Sequence, residues 1–216
     1  MKKILIIDYG LSNLLSVQHA FSYYDAECTV INKPEEIDEA SVLILPGVGA
    51  FSDGMDGLKR LNFIEPLEKA VKKGIPLLGI CLGMQMLFNE SEEFGRFRGL
   101  GFIPGRVVRI PDLDIDGGPQ KVPHISWEPM FPIGSKQDFN DTVLRTITPG
   151  EECYFIHSYE AIPASDEYRV ADTLYGGRRI SAVVQNGNVI GTQFHPEKSG
   201  TVGLRIIRSF IEMYAV

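Results

Sequence analysis

The chain is poor in cysteine. Only three occur among 216 residues, and none of Cys28, Cys81 and Cys153 stands in a Cys-x-x-Cys pair. This usage excludes a disulfide framework or a structural zinc site as the organising device. A basic cluster is also missing. With 21 Lys and Arg against 28 Asp and Glu, the net charge is −7, so neither nucleic acid nor an anionic membrane is an expected partner. No stretch approaches the ~18 apolar residues of a membrane span. Lys2 and Lys3 before Ile4-Leu5-Ile6-Ile7 imitate the start of a secretory signal, but the run stops at Asp8 and no cleavage site follows. The expected compartment is the cytoplasm, whose reducing conditions keep a reactive thiol free. No internal repeat, low-complexity tract or interdomain linker interrupts the sequence, and its length suits one domain over residues 1–216.

What the chain does have is alternation. In the first ninety residues short apolar runs at 3–8, 28–32, 42–45 and 75–80 read as strands. Between them, 13–24 and 63–73 read as helices, the first with Ser12 or Asn13 as N-cap and the second stopped by Gly74. This order predicts an α/β fold: a doubly wound, mostly parallel sheet with helices on both faces and ligand sites beyond the strand carboxyl ends. From about Gly101 the pattern changes to short strands at 102–110, 154–159, 169–171, 180–185 and 189–194. They form a smaller antiparallel C-terminal part, with Asn186-Gly187 as a hairpin turn. Residues 112–120 and 129–140 read as loops, and 200–214 as a closing helix.

The most specific chemistry lies at Gly79-Ile80-Cys81-Leu82-Gly83, between the strand ending at Ile80 and a helix expected over 82–89. A lone cysteine after a strand is commonly a small core residue. The two glycines change that reading. A strand-to-helix turn this sharp tolerates almost no side chain beside the nucleophile. It presents the sulfur together with the N–H groups of the helix start, which favour a thiolate and an oxyanion. Such a thiol needs a base and a group that orients the base. His195-Pro196-Glu197 supplies both, because alternate residues of an extended segment face one side. Cys28 and Cys153 have neither elbow nor base and read as packing residues, and His19 falls on a helix surface. His124 and His157 each lie in a polar and aromatic cluster.

Pro46-Gly47-Val48-Gly49 ends another predicted strand. It fails as a dinucleotide fingerprint, since Ser52 stands at the third glycine position, and as a P-loop, since no Gly-Lys-Ser/Thr follows. Beside an elbow cysteine it is instead a flexible source of a second oxyanion N–H. Neither a metal nor a cofactor is expected.

These segments resemble the class I, triad-type glutamine amidotransferases. Gly79-Ile80-Cys81-Leu82-Gly83-Met84-Gln85 and Phe194-His195-Pro196-Glu197 are similar to that family's two signature segments. Four further stretches look like the branch that serves imidazole glycerol phosphate synthase: 7–10 with Asn13-Leu14, 45–51, 121–124 and 154–159. The resemblance implies a flavodoxin-like fold. It implies that Cys81 attacks the side-chain amide of L-glutamine to give a thioester, with His195 relaying protons and Glu197 orienting it. Val48, Gly49 and Leu82 then belong to the oxyanion hole, the Val48 peptide flipping in the active complex. Gly49, Gln85, Glu93, His157, Ser158 and Tyr159 hold glutamine. The implied partner is a (β/α)₈-barrel synthase subunit, joined as a heterodimer, which receives the ammonia and makes imidazole glycerol phosphate and AICAR in histidine biosynthesis. Asn13, Trp127 and Lys198 match interface positions.

Two departures fall in regions implied to face the synthase. Ser126-Trp127-Glu128 stands where the family commonly has Gly-Trp-Asn, and Ser12 replaces a glycine. They leave open a paralogous glutaminase subunit that feeds another synthase, such as a sugar-amidating enzyme of surface polysaccharide synthesis.

Overall fold

The computed structural model describes residues 2–134 and 136–215. In chain order these form β1 (Ile4–Ile7), α1 (Leu14–Ser22), β2 (Cys28–Ile31), β3 (Val42–Gly47), α2 (Phe51–Arg60), α3 (Ile64–Lys72), β4 (Leu77–Cys81) and α4 (Leu82–Met86). There follow β5 (Phe88–Ser91), β6 (Phe97–Arg98), β7 (Ile103–Arg109), β8 (His124–Pro129), β9 (Phe131–Pro132) and β10 (Glu152–His157). The chain continues with β11 (Tyr159–Pro163), β12 (Arg169–Tyr175), β13 (Arg178–Asn186), β14 (Val189–Thr192) and α5 (Gly200–Tyr214).

The main sheet has the order β2-β1-β3-β4-β14-β13-β12-β9. Its strands from β2 to β14 are parallel, and β13, β12 and β9 continue it antiparallel. A second sheet, β11-β7-β5-β6, and a two-stranded ribbon, β10-β8, complete the fold.

The parallel strands β1, β3, β4 and β14 are buried along their whole length, as a sheet covered by helices requires. Along β1, Ile4 and Ile6 join Phe21 of α1 and Phe210 of α5 in one core. Leu5 and Ile7 join Leu58 of α2 and Leu67 of α3 in another. Each of these side chains is fully buried, which contributes about 1.5–3 kcal/mol apiece before the entropy of ordering is set against it.

The register fixes the site. Gly47 at the end of β3 lies opposite Cys81 at the end of β4, and Thr192 of β14 lies opposite Ile80. The segment after β14 therefore emerges beside the cysteine, at the carboxyl edge where the parallel topology expects a ligand.

Several expected boundaries differ. The helix expected to reach Asn89 ends at Met86, because Phe88 is drawn into β5 and pairs with Ile103 of β7. Asn13 occupies the N-cap position of α1 but makes no side-chain capping bond, while the Ser12 hydroxyl donates to the Pro46 carbonyl. Residues 129–140, expected as a loop, contribute the short β9. The stop at Gly74 has the expected left-handed backbone, with φ +82°, and α5 has the expected ends.

Candidate active site

Cys81 closes β4 and opens α4 with φ +55° and ψ −108°, a conformation that costs a non-glycine residue about 1–3 kcal/mol. The surroundings enforce it. A Cβ on Gly79 would lie 2.8 Å from the carbonyl group of Gly83, and one on Gly83 would lie 1.8 Å from the Leu45 oxygen. The glycines that flank the cysteine are thus required for space, so that α4 can pack directly on β3.

His195 lies beside the thiol and is 3% exposed. Its Nδ1 is 2.7 Å from Glu197 Oε1, and only 2% of the Glu197 side chain is exposed. Burial works against a charged imidazole here. Hydrogen bonding to Cys81 and to Glu197 outweighs it and pushes His195 up to about 10. The imidazole thus stands between the thiol and the carboxylate, the arrangement that activates a cysteine nucleophile. Burial alone pushes Cys28 up to about 12, and burial is the main cause that takes Cys153 to the same value.

A cavity of about 340 Å³ opens over Cys81. It brings together Val48, Gly49, Leu82, Gln85, Glu93, His157, Ser158, Tyr159, His195 and Lys198, all singled out in the sequence. Glu93 is raised by burial, which outweighs the N–H that Phe51 donates to its Oε2 at 2.7 Å. Gln85 is buried and donates from Nε2 to the Tyr159 carbonyl at 2.9 Å and to Gln193 Oε1 at 3.0 Å.

Val48 is the exception. Its N–H donates to the Leu11 carbonyl at 2.9 Å, so this donor is not free for an oxyanion. Gly49 beside it has φ +100° and open space around its Cα. Asn13 and Trp127 do not line the cavity. Asn13 is half-buried before α1, and Trp127 is 50% exposed on β8.

The sequence reading missed Gln193. It is fully buried, and its Nε2 points to Cys81 Sγ at 3.9 Å. Glu197 reaches His195 through a 3₁₀ turn over Pro196–Lys198 rather than along the extended segment expected; Gln193 lies two residues before the extended His195, where alternation could have found it. Pro123 and Ile156, also missed, line the cavity, and the thiol lies 3.9 Å from the Ile156 carbonyl oxygen.

A family model described as glutamine amidotransferase class-I matches residues 5–213. The chain belongs to the class-I glutamine amidotransferase family. Among curated relatives of this amidotransferase, a protein of Legionella pneumophila (strain Lens) named imidazole glycerol phosphate synthase subunit HisH 1 is 50% identical over 213 residues, covering 99% of this chain and 100% of the relative. The subunit HisH of Syntrophotalea carbinolica is 47% identical over 211 residues, covering 97% and 100%. A crystal structure described as a glutamine amidotransferase shares the fold at a TM-score of 0.72 and 20% identity, covering 98% of this chain and 99% of that one. The PurLQS structure from Thermotoga maritima does so at 0.74 and 21%, covering 99% of each chain. Among the described residues of this amidotransferase no helix is long and apolar enough to cross a membrane, and no group of three or more His, Cys, Asp or Glu is placed to hold a metal ion.

Proposed function

We propose that this chain is the glutaminase subunit of an imidazole glycerol phosphate synthase, acting in the cytoplasm in histidine biosynthesis. The observation that carries the chemistry is the strained, glycine-flanked Cys81 backed by the buried His195–Glu197 pair, at the floor of a cavity sized for an amino acid. Relatives named HisH at 42–50% identity over nearly the whole chain favour this pathway over the sugar-amidating alternative.

Glutamine enters with its ammonium toward Glu93 and its side-chain amide over Cys81. The thiolate attacks the amide carbon, and the carbonyl oxygen takes the charge under the Leu82 N–H. His195 gives its proton to the departing nitrogen, so the C–N bond breaks, ammonia leaves and a γ-glutamyl thioester remains. Water then attacks the thioester with His195 as base, releasing glutamate and restoring the thiolate. Glu197 keeps the imidazole in the productive orientation throughout.

The ammonia passes to a (β/α)₈-barrel synthase subunit docked over the cavity. The face around it carries exposed apolar side chains, Ile125 at 53%, Trp127 at 50% and Ile156 at 38%, with Lys198 exposed at the cavity mouth. Asn13, Trp127 and Lys198 are our interface positions.

A glutamine-mimicking electrophile tests the chemistry. It should label Cys81 and leave Cys28 and Cys153 untouched, and glutamine should protect. Equal labelling of the three cysteines would refute the glutaminase assignment.

A further inference from the structure

Ser126 and Glu128, which stand where the family commonly has Gly and Asn, are hydrogen-bonded to each other. The Ser126 hydroxyl donates to Glu128 Oε1 at 2.7 Å. The same carboxylate oxygen lies 3.5 Å from His124 Nε2. His124 is fully buried, packed against the Tyr175 ring at 3.8 Å and the Phe155 ring at 5.4 Å between centroids. Its Nδ1 meets His157 Nε2 at 3.0 Å, and His157 Nδ1 meets the Tyr159 carbonyl at 2.8 Å. That carbonyl also accepts from Gln85, whose amide continues through Gln193 to Cys81.

The chain of bonds fixes its own tautomers. A carbonyl only accepts, so His157 carries its proton on Nδ1 and presents a lone pair at Nε2. His124 must then donate from Nδ1. A neutral His124 is left with a lone pair at Nε2, an atom that is buried and has no hydrogen-bond partner. It faces a carboxylate that is likewise an acceptor. Two acceptors face each other with no proton between them, and one added proton satisfies both.

We propose that Glu128 is a positioning residue for glutamine hydrolysis: it and His124 share a single exchangeable proton, and that proton anchors the His157–Tyr159 wall that holds Gln85, Gln193 and the bound glutamine. The inference rests on the glutaminase reading. The titratable groups that face the pair are Glu128 itself, His157 from β10, Tyr175 from β12 and, beyond His157, His195. Burial holds His157 down at about 3, with the His124 ring adding to the effect, so His157 stays neutral and the tautomer argument holds. His124 is also lowered by burial, with Glu128 opposing. The proton is therefore taken up as pH falls and lost as it rises.

Glu128→Gln tests this. With the amide nitrogen at the Oε1 position, one N–H donates to His124 Nε2 and the other to the Ser126 hydroxyl oxygen, so the variant is anchored at every pH. The experiment measures KM and kcat for glutamine against pH, with the synthase partner present, for wild type, Glu128→Gln and Glu128→Ala. In parallel, the imidazole ¹⁵N signals of His124 and His157 are followed in the isolated chain. We expect the wild-type KM to rise toward alkaline pH by roughly 2- to 10-fold, the worth of one net hydrogen bond. Glu128→Gln should remove that rise at little cost in kcat, and Glu128→Ala should keep the high KM throughout. The His124 Nε2 signal should titrate in the wild type and not in Glu128→Gln. Coincident KM profiles for wild type and Glu128→Gln would overturn the proposal while leaving the glutaminase reading intact. Failure of all three proteins to hydrolyse glutamine would overturn that reading and this role with it, whatever the imidazole signals show.

Discussion

The Val48 N–H donates to the Leu11 carbonyl at 2.9 Å, which turns it away from Cys81. Cys81, His195 and Glu197, the nucleophile, base and orienting acid of the proposed function, stand together, yet one of the two expected oxyanion donors is engaged elsewhere. Rotation of the Gly47–Val48 peptide, the plane that carries this N–H, would complete the hole. The Val48 amide should exchange slowly with deuterium in the isolated chain and faster in the stimulated complex. Full protection of that amide in a fully active complex would contradict the account.

Cys81→Ala should abolish glutamine hydrolysis while the complex still assembles and still runs on added ammonia. Comparing glutamine-dependent and ammonia-dependent synthesis on one preparation checks this. Loss of both would contradict the division of labour.

Glu197→Gln keeps the shape behind His195 and removes its charge. The expected loss in kcat is on the order of 10³–10⁴. His195 is raised above its ordinary 6.5 to about 10, so the imidazolium persists through neutral pH and is lost as pH rises through the folded value. The ion pair therefore stabilises the fold fully below 6.5, and that contribution fades toward pH 10. In Glu197→Gln the alkaline fall in kcat, where His195 loses the proton that it gives to the departing nitrogen, should move to lower pH.

Glu93 is raised by burial. A carboxyl with a raised proton affinity is neutralised sooner as pH falls, so the site for the glutamine ammonium should weaken above the ordinary carboxylate value of 4.5. The KM for glutamine should rise on the acid side, and Glu93→Gln should have a high KM that lacks this acid limb.

Gly83→Ala places a methyl group 1.8 Å from the Leu45 carbonyl oxygen. Because the obstacle is backbone, α4 must move off β3. The expected cost is about 1–3 kcal/mol, a fall in Tm of roughly 2–4 °C per kcal/mol for a chain of this size, with activity lost beyond the change in stability. Thermal melts and kcat on the same samples would show it.

The elbow was legible because an apolar run, two glycines and a cysteine are all local signals, and His195 and Glu197 stand two residues apart, although a 3₁₀ turn over Pro196–Lys198 joins them where an extended segment was expected. The β8–β10 ribbon was not, since Pro123 and Pro129 bracket β8 and its pairing with β10 is long-range. Helix α2 was hidden by Gly54 and Gly57, which usually disfavour a helix. Here they serve close packing, for a Cβ on Gly54 would lie 2.7 Å from Met86 Sδ and one on Gly57 2.7 Å from the Tyr9 carbonyl oxygen. The direction of the Val48 N–H has no signature in residue type, because a peptide plane can turn without any change of side chain.

The most direct measurement is glutamine hydrolysis by the purified chain, alone and with an imidazole glycerol phosphate synthase barrel subunit and its nucleotide substrate. One missing oxyanion donor is worth about 10²–10³ in kcat, so the account predicts slow hydrolysis alone and stimulation of that order in the complex. Equal rates with and without the liganded barrel would contradict it.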